Sequence, residues 1–155
     1  FEGPLRDALH AFKYRGGRHV ADVLAPKMAF VWKRQKMSAD LLVPVPLYPS
    51  REAKRGYNQA AILASALSRE IEIPTANRVL KRVRNTPSQT GFDREGRRQN
   101  VAGAFVCADG LDLAGRTVTL VDDVATTGAT LDACADALMA AGAKAISAFT
   151  LARAP

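Results

Sequence analysis

Val118–Thr130 reads VTLVDDVATTGAT, and this stretch decides the fold. Thr117–Val121 is rich in β-branched residues and bounded by Gly115 and two aspartates, so it predicts a strand. Asp122 and Asp123 follow, then Ala125–Thr130, a run of small and hydroxyl side chains, then an alanine-rich helix predicted over 129–141 with Gly142 as its stop. Small residues let a ligand approach the backbone, and Gly128 permits a positive φ. The loop feeds a helix N-terminus, whose free N–H groups and dipole bind a phosphate without any lysine. Thr126, Thr127 and Thr130 add hydroxyl donors. Two adjacent carboxylates repel unless something offsets them; a sugar diol offers two O–H donors, and a magnesium ion offers charge. Phosphate on the loop and diol on the acids describe a ribose 5-phosphate. The competing account, in which Asp122 caps a turn and the threonines cap the helix, covers each residue singly but not the whole run.

Outward from this unit, Leu5, Ala8, Leu9 and Phe12 sit at helical spacing, predicting a helix over 4–13 that Gly16-Gly17 breaks. A second helix is expected over 18–36, with Val20, Leu24, Met28, Val31 and Trp32 inward. Leu41–Val45 reads as a buried strand. The stretch PVPLYPSREAKRGYNQ reads as a loop, because Pro44, Pro46 and Pro49 forbid a helix there. From Asn58 the pattern is helical, with Ile62, Leu63, Ala66 and Leu67 inward and a stop before Pro74. Val79–Val83 and Val101–Val106 read as strands, 84–100 as a long polar loop, and Ala145–Leu151 as a last buried strand. Strands alternating with helices predict an α/β fold with a mostly parallel central sheet flanked by helices, whose ligand site lies at the carboxyl ends of the strands.

At 155 residues the chain is expected to be one domain. It divides into a helical part (1–38), a ligand-binding core (39–155) and a mobile loop at about 84–100. No run is long and apolar enough to span a membrane, and no signal peptide is read at the start, so a cytoplasmic location is expected. The chain lacks an initiator Met and opens in mid-pattern, so a segment upstream of Phe1 is expected. Cys107 and Cys134 lack metal-site spacing and read as buried, reduced thiols. The net charge is +7 and uneven: residues 51–100 hold eleven Lys/Arg against five Asp/Glu, whereas 101–155 hold three against six. A basic surface suits a polyphosphorylated molecule or nucleic acid, although from charge alone a solvated basic face is the better account. There is no G-x-x-x-x-G-K-[ST] and no G-x-G-x-x-G after a strand, which disfavours a P-loop hydrolase and a dinucleotide fold.

Val118–Thr130 resembles, position for position, the thirteen-residue phosphoribosyl-diphosphate (PRPP) motif of type I phosphoribosyltransferases. KYRGG, VPVPLYPSREAKRGYNQA, TPSQTGFDREGRRQNVAGAF and that motif stand in the order seen in the ComF family of competence proteins, also described as amidophosphoribosyltransferase-like. R-G-[FY]-N-Q (Arg55–Gln59), T-P-x-Q-T (Thr86–Thr90) and R-x-x-N (Arg97–Asn100) look distinctive of it. The resemblance implies the type I phosphoribosyltransferase fold. Family members commonly carry a four-cysteine zinc ribbon ahead of this region, and the chain does not contain one.

By that resemblance, Asp122 and Asp123 hold the ribose hydroxyls of PRPP, and Ala125, Thr126, Thr127, Gly128, Ala129 and Thr130 hold its 5-phosphate. Backbone donors of Leu47 and Tyr48 serve the pyrophosphate, with Arg55 beside them and Arg51 and Lys54 as further cations. Residues 84–100 are similar to a flexible loop that closes over PRPP. There Arg94, Arg97 and Arg98 would stabilise charge on the leaving pyrophosphate, and Gln89 and Asn100 would orient loop or substrate. Asp122, Asp123 and Arg97 are the expected catalytic residues. Mg²⁺ is expected to arrive with PRPP, with no direct protein ligand assigned. In purine-salvage relatives a third carboxylate sits where Thr126 stands, and a basic residue can stand where Ala129 does, so purine salvage is disfavoured. His10 and His19 have no tie to the site, and Trp32, Tyr57 and Phe92 are weighed as base-stacking groups against ordinary packing. The expected function is phosphoribosyl transfer from PRPP to an unidentified acceptor with release of pyrophosphate, linked to DNA uptake. The alternatives are a competence factor that binds PRPP or single-stranded DNA without turnover, and a PRPP-sensing regulator. DNA-uptake machinery and a homodimer partner are left open.

Overall fold

The computed structural model describes residue 12 and residues 17–86, 94–108 and 112–153. Three parallel strands form the sheet, in the order β1 (Leu41–Pro44), β4 (Thr117–Ala125), β5 (Ala145–Arg153). Their register aligns Val43 with Leu120 and Val121 with Phe149, and Asp122 with Thr150. All four residues of β1 are buried, as expected of a parallel strand covered on both faces. A separate antiparallel pair, β2 (Leu80–Arg82) and β3 (Phe105–Cys107), sits beside the sheet.

Helices cover both faces. On one side lie α1 (Gly17–Arg34) and α3 (Gln59–Ile71). They bury Ala21, Ala25, Met28, Trp32, Leu63 and Leu67 against Leu42, Val121 and Phe149. Trp32 meets Phe149 edge-on, centroids 5.5 Å apart at 88°, a favourable aromatic geometry. On the other side α5 (Ala129–Ala140) buries Cys134 and Leu138 against Val118 and Leu120, together with Val101, Leu80 and Phe105. The α/β fold with a parallel sheet flanked by helices is therefore the one expected.

Several local expectations are corrected. The proline-rich stretch contains a helix, α2 (Pro49–Arg55). Pro49 stands in its first turn, where a missing N–H costs nothing, and only Pro44 and Pro46 lie outside. Residues 84–100 are not all loop, because Arg94–Val101 is helix α4. Its one apolar residue with a regular contact, Val101, is buried at its end, so no apolar period marks the helix in the sequence. Val101 consequently closes a helix, and the strand placed at Val101–Val106 is shorter and later, Phe105–Cys107. Val31 is exposed, whereas Met28 and Trp32 face inward as expected, joined by Ala21, Ala25 and Ala29, whose small side chains allow close approach. Cys134 is buried, but Cys107 is only half-buried. The helix placed at 4–13 lies outside the described residues apart from Phe12, which is helical and buried.

Candidate functional site

The site is built at the carboxyl end of β4. Side chains alternate across a strand, so Asp122 and Asp123 leave on opposite faces of the sheet. Asp123 is buried and faces α3, where its Oδ2 accepts from Gln59 Nε2 at 3.4 Å. Its Oδ1 accepts from the Val124 N–H at 2.9 Å. Asp122 is half-buried, and its Oδ1 accepts from the Asp123 N–H at 2.9 Å. It lies close enough to Arg82 and Cys134, on the α5 side, for its charge to act on both.

After Ala125 the chain bends through Thr126–Gly128 and enters α5 at Ala129. Gly128 sits at φ +87°, the left-handed region, and caps the helix without a side chain. The Ala129 N–H donates to Thr127 Oγ1 at 3.4 Å, and the Asp132 N–H to the Gly128 carbonyl at 2.9 Å. Thr126, Thr127 and Thr130 are half-exposed, and Ala129 is buried. The loop is a small-residue bend opening onto the α5 N-terminus, the geometry that accepts an anion.

A second loop joins β1 to α2 at the same end of the sheet. The Val45 N–H donates to the Val121 carbonyl at 2.9 Å, tying this loop to β4 beside the aspartates. Tyr48 caps α2, its carbonyl accepting from the Arg51 and Glu52 N–H groups. Leu47 and Tyr48 are half-exposed, and among the described residues their own N–H groups donate to no other group. Gly56 ends α2 at φ +84°, and Asn58 begins α3, its Oδ1 accepting from the Ala60 N–H while its Nδ2 donates to the Val45 carbonyl at 3.0 Å.

Two guanidinium groups meet at Thr86. Arg51 Nη2 donates to the Thr86 carbonyl, and Arg82 Nη2 to its hydroxyl. Thr86 is 2% exposed. The Arg82 guanidinium also stacks 5.3 Å from the Phe105 ring centroid, and its buried Nε has no hydrogen-bond partner. Burial holds the Arg82 pKa below its ordinary value, and the Arg51 charge lowers it further, with Cys134 and Asp122 opposing. Arg82 was not among the expected site residues. Its one sequence signal is parity: it shares a strand face with buried Leu80, an unusual place for a charge.

The expected residues divide accordingly. Asp122, Asp123 and Ala125–Thr130 come together at one strand end, with Leu47 and Tyr48 on the neighbouring loop. Arg55 is engaged elsewhere, its Nη1 donating to Gln59 Oε1. On α4, which packs against α5, Arg97 and Asn100 are half-buried and Arg98 is exposed. Gln89, Phe92 and the side chain of Arg94 lie outside the described residues. Trp32 is core, and the Tyr57 hydroxyl donates to the Phe12 carbonyl, so packing and tethering account for both. Among the described residues no cluster of three His, Cys, Asp or Glu could hold a metal ion, and no helix is long and apolar enough to cross a membrane. A cavity of about 640 Å³ lies along α3, lined by Asp22, Glu52, Tyr57, Asn58, Arg69 and Asn77, and none of the expected PRPP-binding residues reaches it.

With this geometry in place, known proteins give it a context. The phosphoribosyl transferase domain family matches residues 54–155. Competence protein F of Haemophilus influenzae is 38% identical over 97% of this chain and 69% of its own length. The DNA utilization protein YhgH of Escherichia coli is 30% identical over 97% of this chain and 67% of its own. Competence protein ComFC of Bacillus subtilis is 32% identical over 96% of this chain and 60% of its own. Among known structures, the purine phosphoribosyltransferase of Pyrococcus horikoshii matches at TM-score 0.52 and 22% identity, over 85% of this chain and 71% of that one. The glutamine PRPP amidotransferase of B. subtilis matches at TM-score 0.57 and 19% identity, over 85% of this chain and 26% of that one. At those identities the two structures show the fold alone. The chain belongs to the competence protein F family and carries its type I phosphoribosyltransferase-like domain.

Proposed function

We propose that this domain binds Mg²⁺–PRPP and transfers its phosphoribosyl group to an acceptor, releasing pyrophosphate. The observation that carries the reading is the end of β4, where two carboxylates lead directly into a small-residue bend opening onto a helix N-terminus. The ribose hydroxyls donate to Asp122 and Asp123. The 5-phosphate accepts from the N–H groups and hydroxyls of Ala125–Thr130. The Leu47 and Tyr48 N–H groups face the pyrophosphate. Carboxylate and phosphate oxygens suit a hard cation, and Mg²⁺ carried on PRPP supplies charge neutralisation for the leaving group. As the C1–O bond breaks, the ribosyl carbon gains positive character and the pyrophosphate oxygen gains negative charge. An acceptor nitrogen supplies the electron pair for the new bond to C1 and then loses its proton. Arg97, with Arg94, Arg98 and Asn100 on the same helix and Gln89 earlier in the chain, is the proposed source of charge and order at the pyrophosphate. Thr126 leaves the acceptor-facing position without a carboxylate, which argues against a purine acceptor. Isothermal titration with Mg²⁺–PRPP tests the reading: wild type binds, and Asp122→Asn/Asp123→Asn does not. Equal binding, or none by wild type, ends it.

A second activity, the handling of single-stranded DNA, is favoured by one face of α1. Val23, Lys27, Phe30 and Arg34 recur at helical spacing, and Val23 and Phe30 are each 65% exposed. The acid of α1, Asp22, is paired with Arg69 at 2.8 Å. An exposed aromatic between cations is the composition of a base-stacking surface. The name of one relative, a DNA utilization protein, points to DNA as well. The affinity for an oligonucleotide is expected to fall steeply with salt and to drop on Phe30→Ala. A flat salt response removes this activity.

A further inference from the structure

The string Arg55-Gly56-Tyr57-Asn58-Gln59 crosses the joint between α2 and α3. Gly56 turns the chain, Tyr57 tethers Phe12, and Asn58 caps α3. That leaves Arg55 and Gln59, which lie in line with Asp123. Gln59 is 5% exposed, and so is Asp123. Arg55 Nη1 donates to Gln59 Oε1, and Gln59 Nε2 donates to Asp123 Oδ2 at 3.4 Å. A guanidinium only donates and an ionised carboxylate only accepts, so the two ends together dictate which way round the amide lies. Without the guanidinium, only the long 3.4 Å bond to Asp123 holds the amide in place.

We propose that Arg55 is a positioning residue that acts on Asp123 through Gln59. This rests on the PRPP reading above and deepens it, because Asp123 is one of the two acids assigned to the ribose. The sequence places Arg55 at the pyrophosphate. The structure commits its guanidinium to a neutral amide instead, and that amide to the acid. The relay joins α2, α3 and β4, so the loop that precedes α2 and the strand end that carries the acids are held as one unit.

A double-mutant cycle separates the two roles of Arg55. Mg²⁺–PRPP affinity is measured for wild type, Arg55→Ala, Gln59→Leu and the double variant, with thermal melts to confirm folding. Each single change is expected to weaken binding about tenfold, the scale of one hydrogen bond to a charged group. The double variant is expected to bind no worse than Gln59→Leu, because Arg55 has nothing left to act through. Arg55→Lys, which keeps a donor, is expected to recover part of the loss. An Arg55→Ala effect that persists undiminished in the Gln59→Leu background means that the guanidinium touches the ligand itself, and the proposal is overturned. A ligand-free arm keeps the proposal separate from the PRPP reading. In the unliganded protein the Gln59 side-chain amide resonances should move on Arg55→Ala and on Asp123→Asn. If wild type fails to bind PRPP, that reading falls while these shifts still decide the relay. Unmoved resonances overturn it.

Discussion

Asp122 and Asp123 are separated by one peptide bond, yet they belong to different halves of the molecule. Asp123 points into the α1–α3 side, buried against the neutral amide of Gln59. Asp122 points to the α5 side, half-buried, toward a corner that holds the guanidinium of Arg82. The alternation of the strand does the separating. Two carboxylates that look mutually repulsive in the sequence are therefore kept apart by the sheet, each with its own surroundings. On one side Asp123 meets the amide of Gln59, on the other Asp122 lies near the Arg82 guanidinium, and the ligand assigned to the strand end spans both.

The largest expected effect breaks this asymmetry directly. Asp123→Asn should weaken Mg²⁺–PRPP binding by more than roughly a hundredfold, because it removes a buried charge and sets an amide against the Gln59 amide. Asp122→Asn should cost about tenfold in the same titration. Equal losses would show that the ligand levels the two environments. Next in size is the loop shared by both sides. Gly128→Ala forces a side chain into left-handed backbone and should destabilise the fold by about 1–2 kcal/mol in chemical denaturation. The thiols compare the α5 face with its rim. Burial pushes the Cys134 thiol far up, the Asp122 charge adding to it, and burial raises half-buried Cys107 less deeply set. Mass spectrometry after iodoacetamide should find Cys107 alkylated first, because its thiol is the more exposed of the two.

The smallest effect lies at the other end of the sheet. Asp40 accepts from the Thr117 N–H at 2.7 Å and its hydroxyl at 2.8 Å. These bonds, with Arg116 and Lys144 nearby, hold its carboxyl below the ordinary value of 3.8. An acid depressed in the folded state stabilises above its unfolded pKa and loses that contribution as pH falls through the folded value. Asp40→Asn should therefore lower Tm slightly at neutral pH, and the difference from wild type should shrink as pH falls through the folded value.

The strand–acids–loop–helix unit was legible because every residue carries its reason locally: β-branched residues, two acids, a glycine and an alanine-rich helix. Asn58 announced α3 for the same reason. The helix α2 stayed hidden because three prolines read as one prohibition, when only the position of Pro49 mattered. Helix α4 stayed hidden because it is polar throughout and owes its place to packing on α5. Arg82 was missed because its significance lies in what surrounds it, namely Thr86, Phe105 and Asp122, which come from three different parts of the chain. Arg55 was noticed for its charge and assigned to an anion. Its engagement with Gln59, four residues on, depends on the turn at Gly56, which spacing alone does not reveal.

Gly128 has one more consequence. A Cβ built there would meet no atom within 4 Å, so the position has room for a side chain. What it excludes is a side chain of the wrong handedness. A mirror-image residue, D-alanine, prefers this backbone conformation. The loop thus turns away L side chains by backbone handedness rather than by size, and a semisynthetic chain carrying D-alanine at this position would have fewer unfolded conformations to give up than glycine has.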